Sequence, residues 1–234
     1  MNVIHLSTSD LDGGAAKAAY RLHCGLQVAG CSSTMLVRAK QSADKTVAKQ
    51  QSLITKVGPI LSGLPVKLSN FQPQSQFSAQ WFPARLPLKV NCNGYLKIEE
   101  VAKLRRPLVW TLNDMWPLTG GCHYSKDCGK YKAACGQCPE LNSTRKKDLS
   151  NEIWKRKAQS WKQLDITLVA PSQWIADCAK ASSLFQTKLV RVIPHGLDTQ
   201  TYKPLDQTFA RKVLNLPLDR QFILFGASSG VTGD

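Results

Sequence analysis

Short apolar runs alternate with amphipathic stretches along this chain, in the order and lengths of a β-α-β protein. Asn2 to Ser7 (NVIHLS) reads as a strand and Asp12-Gly13-Gly14 as a turn; Ala15 to Val28 reads as an Ala-rich helix with Ala16, Ala19, Tyr20, Leu22 and Leu26 on its apolar side. Gly30 ends that helix, and Thr34 to Val37 (TMLV) is the next strand. Strand, helix and strand in this order make a right-handed crossover and predict a parallel sheet. Pro107 to Leu112 (PLVWTL), Ile166 to Ala170 (ITLVA), Leu189 to Ile193 (LVRVI) and Phe222 to Phe225 (FILF) are further strands, with a helix over Trp174 to Ala181. The fold class is therefore α/β, built on a Rossmann-like parallel sheet.

Two stretches depart from the simple alternation. Lys40 to Leu88 mixes polar runs with Pro59, Pro65, Pro73, Pro83 and Pro87, which predicts an irregular excursion holding one short helix near Leu53 to Leu64. Thr144 to Lys162 is basic and helical in pattern, with Ser150 as its expected N-cap and Trp154, Ala158 and Trp161 on one stripe. Its tryptophans either face the core, leaving the lysines solvated, or rest at an anionic membrane surface; the first is the simpler reading.

The polar tips of the strands carry the candidate chemistry. PLVWTL ends in Asn113 and Asp114, and ligands of open α/β sheets bind at the C-terminal ends of the strands. Asp114 is thus placed to orient or deprotonate a hydroxyl, or is an N-cap or turn carboxylate; Asn113 is placed to hydrogen-bond a ligand. Gly13 and Gly14 permit close backbone approach to a ligand, and equally suit a tight strand-to-helix turn. Ser172 stands at another strand end and reads as an N-cap, while His195 lies in a Pro-His-Gly turn after LVRVI.

Thr119-Gly120-Gly121 is followed by Cys122, Cys128, Cys135 and Cys138, four of the chain's eight cysteines within 17 residues. Four thiolates can hold one tetrahedral zinc ion, and the two-residue spacer of Cys135-Gly136-Gln137-Cys138 lets both sulfurs face it; ordinary buried thiols are the alternative. His123 is a zinc ligand, a cleft group or a packed histidine. No charged n-region with an apolar h-region opens the chain, which argues against disulfides and makes the cytosol the expected compartment.

At 234 residues the chain can bury a full core, and no apolar run reaches the length of a bilayer span. A formal charge of +15 points to anionic partners. The basic residues are dispersed and the aromatic ones match no RNA-reading motif, so nucleic acid is not the expected partner. A basic zinc-containing nucleic-acid- or protein-binding module without catalysis is the second reading. Gln221 to Ala227 reads as the first strand of a new α/β unit stopped at the turn Ser228 to Asp234, which makes this sequence the expected front part of a longer protein.

Taken together, Asp12-Gly13-Gly14-Ala15-Ala16, VWTLNDMWPLTGGCHY with CGQCPEL, APSQWIAD and VIPHGLDTQTYKP resemble bacterial family 4 glycosyltransferases, nearest the cysteine-containing branch of exopolysaccharide and colanic-acid-type assembly. That resemblance implies two Rossmann domains facing across a cleft, the GT-B arrangement. Residues 1–200 would form the N-terminal acceptor domain with a cysteine-rich insert at 119–141, and 201–234 the junction and first strand of an incomplete donor domain. It implies a retaining hexosyltransferase using a nucleotide-sugar donor and a lipid-linked or polysaccharide acceptor, at the inner face of the plasma membrane. Asp114 and His195 would line the cleft as catalytic groups, with Gly13, Gly14, Asn113 and Ser172 binding substrate. No catalytic metal is expected, so zinc on Cys122, Cys128, Cys135 and Cys138 would be structural. This chain without its donor domain would not turn over.

Overall fold

The computed structural model describes residues 1–49 and 98–224. The expected excursion beyond Lys49, with its helix near Leu53 to Leu64, lies outside them. The chain divides into two units, Met1–Gly196 and a second beginning at Leu197.

The first unit is α/β with two three-stranded parallel sheets. In the first, β1 (Asn2–Ser9) pairs with β2 (Ser32–Ala39), and β2 with β3 (Val47–Lys49). The helix α1 (Gly14–Val28) crosses from β1 to β2 as the alternation predicts. Its buried face differs from the expected one: Leu22 is exposed, and His23 one residue on is fully buried. His23 is held there because both ring nitrogens find partners, Nδ1 on Ser33 Oγ at 2.8 Å and Nε2 on Thr46 Oγ1 at 2.9 Å. A satisfied imidazole can take a core position that a leucine pattern would claim.

The second sheet runs β4 (Leu108–Thr111), β5 (Ile166–Ala170), β6 (Leu189–Val192), with Thr111 opposite Val169 and Ala170 opposite Val192. The expected single scheme of strands is thus two sheets among the described residues. The helices α2 (Ile98–Lys103), α3 (Leu149–Trp161) and α4 (Gln173–Ala181) accompany the second sheet. Its core is the larger one, gathering Ile98, Leu112, Ile153, Trp161, Leu168, Ala176 and Phe185. Trp161 sits at its centre, edge-on to Trp110 and donating Nε1–H to Ile98 O at 2.8 Å.

Helix α3 settles the reading of the basic stretch and corrects two details. Trp161 is buried, and Trp154 packs on the same core with its indole N–H on Ser183 Oγ, so the tryptophan stripe faces protein rather than a membrane surface. The N-cap is Asp148, whose side chain accepts from Asn151 N at 3.1 Å; Ser150 instead donates to that carboxylate. An ionised carboxylate holds a helix N-terminus more strongly than a hydroxyl. Nor are all the lysines solvated: Lys157 has no exposed surface.

In the second unit, α5 (Gln207–Val213) is capped by Asp206, which accepts from Phe209 N at 2.7 Å. Phe222 to Leu224 are exposed and lie in no strand, contrary to the sequence reading.

Candidate functional site

Strand β4 delivers its polar tip where the sequence places it. After Leu112, Asn113 is exposed and Asp114 is half-buried at the C-terminal edge of the second sheet. Asp114 has two partners: Oδ1 accepts from Trp116 N at 2.8 Å, and Oδ2 stands 2.7 Å from His123 Nδ1. The first contact makes it the turn carboxylate that opens the short 3₁₀ turn Trp116–Leu118. The second makes an Asp–His dyad. A backbone bond from Met115 N to His123 O at 2.8 Å ties the two segments, so the pair is fixed by the chain as well as by its side chains. His123 turns its Nδ1 to this carboxylate, and the wall of the thiol cavity does not include it.

His195 follows β6, two strands from β4 in the same sheet, and is exposed. The partner of Asp114 is therefore His123, nine residues on in sequence, rather than His195. Ser172 occupies the N-cap position of α4 without a side-chain cap bond, and its carbonyl accepts from Ala176 N. The expected hydroxyl cap is thus absent. Beside it, the exposed ring of Trp174 stacks on exposed Tyr124, centroids 6.3 Å apart and planes 25° off parallel. Neither aromatic stood out in the sequence; their signal is only that each follows a strand tip already singled out.

At the first sheet, Gly13 has φ of 84°, a conformation that glycine takes without strain, and Gly14 opens α1. The turn is anchored by Asp10, which accepts from Gln41 N and Ser42 N at 2.9 Å each. Burial raises the Asp10 pKa, but these amide bonds and the Ser42 hydroxyl outweigh it and bring the carboxyl down to about 2. A Cβ at Gly13 or Gly14 would meet nothing within 4 Å among the described residues.

The four cysteines line one small cavity with Thr119, Tyr131, Glu140 and Ser150, about 20 Å³ in volume. The thiols of Cys122 and Cys138 both belong to this wall. The Cys138 thiol, with burial, pushes Cys122 up, while the Cys122 thiol brings Cys138 down to about 7. Burial pushes Cys135 up to about 11, against the Gly120 N–H on its sulfur and the nearby Lys157 cation. Among the described residues, no three His, Cys, Asp or Glu side chains already stand as a ligand set for a metal.

Lys157 organises the floor beneath this loop, a role that nothing in the basic run of α3 signals. Its ammonium donates to Trp116 O and to Thr119 O, the latter at 2.9 Å, and lies 3.4 Å from the centroid of the Trp116 ring. It thus closes the turn that begins at Asp114 and ends where the cysteine segment starts.

Among the described residues no helix is long and apolar enough to cross a membrane. No family model and no solved structure matches the chain. Over 120 aligned residues it is 32% identical to the Escherichia coli (strain K12) protein named "Putative colanic acid biosynthesis glycosyl transferase WcaC", a match that covers 48% of this chain and 29% of that protein.

Proposed function

We propose that this chain is the acceptor-side part of a GT-B glycosyltransferase of exopolysaccharide assembly, moving a hexosyl group from a nucleotide sugar to a lipid-linked or glycan hydroxyl. The Asp114–His123 dyad at the C-terminal edge of a parallel sheet carries the reading. The similarity to a protein named as a colanic acid glycosyl transferase supports it, and because the match spans 29% of that protein, the activity remains the whole protein's.

In the transfer, the bond from the anomeric carbon to the diphosphate breaks, a bond to the acceptor oxygen forms, and the hydroxyl proton departs. Asp114, accepting from Nδ1–H, fixes the tautomer in which Nε2 of His123 carries the lone pair. That nitrogen accepts the hydrogen bond of the acceptor hydroxyl and aims its oxygen at the anomeric carbon; in a retaining transfer the proton passes on to the leaving phosphate. Asp114 acts through His123 and is a positioning residue. Exposed Asn113 offers an amide to a sugar hydroxyl, and the Tyr124–Trp174 pair offers an apolar ring surface for a pyranose face. His195, on the same edge, is placed to meet the donor side. Zinc has no step in this chemistry.

The test is transfer of label from UDP- or GDP-sugars to a lipid extract by the gene product as the cell makes it. His123→Gln should lower kcat about 100-fold or more with little change in KM, and Asp114→Asn should do the same about 10- to 100-fold. Both variants should keep the native circular dichroism. Full activity in His123→Gln, or salt-sensitive polynucleotide binding without any sugar transfer, would overturn the assignment.

A further inference from the structure

We propose that Cys122, Cys128, Cys135 and Cys138 close on a single zinc ion that staples the 119–141 segment to helix α3. Three separate features of the loop converge on this. All four cysteines line one cavity of about 20 Å³, room for about one water-sized particle, although they are spread over a span of 17 residues. Hydrophobic packing alone has no reason to gather four thiols and leave the apolar residues to the neighbouring core.

Next, a backbone N–H is aimed at one of the sulfurs: Gly120 N lies 3.1 Å from Cys135 Sγ. Donors of this kind favour the ionised sulfur and form the outer shell that orients metal thiolates. Lys157, buried in the turn beneath, sets a cation near Cys135 and offsets part of the double negative charge that four thiolates leave around Zn²⁺.

Finally, the loop is shaped so tightly that two of its glycines cannot carry a side chain. A Cβ on Gly120 would stand 2.2 Å from Ser150 O and 2.8 Å from the Cβ of Cys135; one on Gly136, at φ of 148°, would stand 2.3 Å from Lys146 O. Asn151 Nδ2 reaches Cys135 O at 2.6 Å and Asp148 accepts from Cys138 N at 2.8 Å, so both ends of the two-residue spacer are bolted to the start of α3. Binding requires each ligating thiol to release its proton to solvent as its sulfur–zinc bond forms. His123 is not needed, since its Nδ1 serves Asp114.

The full chain, purified without chelator, is assayed for zinc by elemental analysis, then stripped and titrated with cobalt(II). One zinc per chain is expected, together with the intense tetrahedral visible bands and thiolate charge-transfer absorption of a cobalt–tetrathiolate centre. Cys135→Ser and Cys128→Ser should each lower metal content at least several-fold, whereas Cys31→Ser should leave it unchanged. Should the Cys135 variant fail to fold, protection of four thiols against alkylation by added zinc in the wild-type chain decides the matter. No retained zinc with no cobalt–thiolate absorption, or a Cys122–Cys138 disulfide found by non-reducing peptide mapping, overturns the proposal. Since none of these readouts involves sugar transfer, failure here leaves the enzymatic assignment standing.

Discussion

Replacing Lys157 by methionine keeps the aliphatic stem in the core and removes only the ammonium. In the native chain that group satisfies the carbonyls of Trp116 and Thr119 and lies over the Trp116 ring, with no surface exposed to water. The Thr119 carbonyl loses its donor at a cost of about 1 to 3 kcal/mol, while Trp116 O keeps the Thr119 amide at 3.4 Å and loses less. Loss of a desolvated cation–π contact adds about 2 kcal/mol. Against these stands the desolvation of the ammonium, several kcal/mol in the folded state, which methionine escapes. Broken buried charge networks nevertheless cost about 3 to 5 kcal/mol in balance, because the acceptors stay behind. A loss of about 3 kcal/mol would lower the urea midpoint by roughly 1 to 2 M at typical slopes. Lys157→Arg should not rescue it, since a larger planar group has no room at a fully buried site. A Lys157→Met midpoint within about 0.3 M of wild type would refute the reasoning and show that the turn closes without the cation.

Two further perturbations probe the turns that frame the site. Asp10 is held at about 2 against an ordinary 3.8, so its bonds to Gln41 and Ser42 contribute about 2 kcal/mol at pH values above 4, lost as pH falls towards 2. Asp10→Asn should lower stability by that amount at pH 7 and flatten the acid limb; a pH–stability curve indistinguishable from wild type would dismiss the anchor. Gly120→Ala should cost about 3 kcal/mol or more, because the new methyl meets the Ser150 carbonyl, a backbone atom that cannot step aside. A near-neutral effect by thermal unfolding would mean that the loop is looser than its contacts imply.

The strands and helices that set the sheet edge were legible because period and punctuation agree there. ITLVA is a strand from Ile166 to Ala170, as read, and PLVWTL is trimmed only at its ends. Asp114 was legible as a strand-tip carboxylate, but its partner was not: His195 and His123 both lie in turns after strands, and only the fold of the intervening segment decides which imidazole comes within 2.7 Å. His23 and Lys157 escaped notice for a related reason. Hydrophobic periodicity assigns polar residues to the surface, yet a polar side chain whose donors and acceptors are all met at fixed distances can occupy a core position. Those distances come from segments far along the chain, Ser33 and Thr46 for His23, Trp116 and Thr119 for Lys157. The two residues thus mark where tertiary contacts override the pattern. Of the two, Lys157 lies where that override bears on function, since the turn it closes presents Asp114 at one end and the cysteine segment at the other.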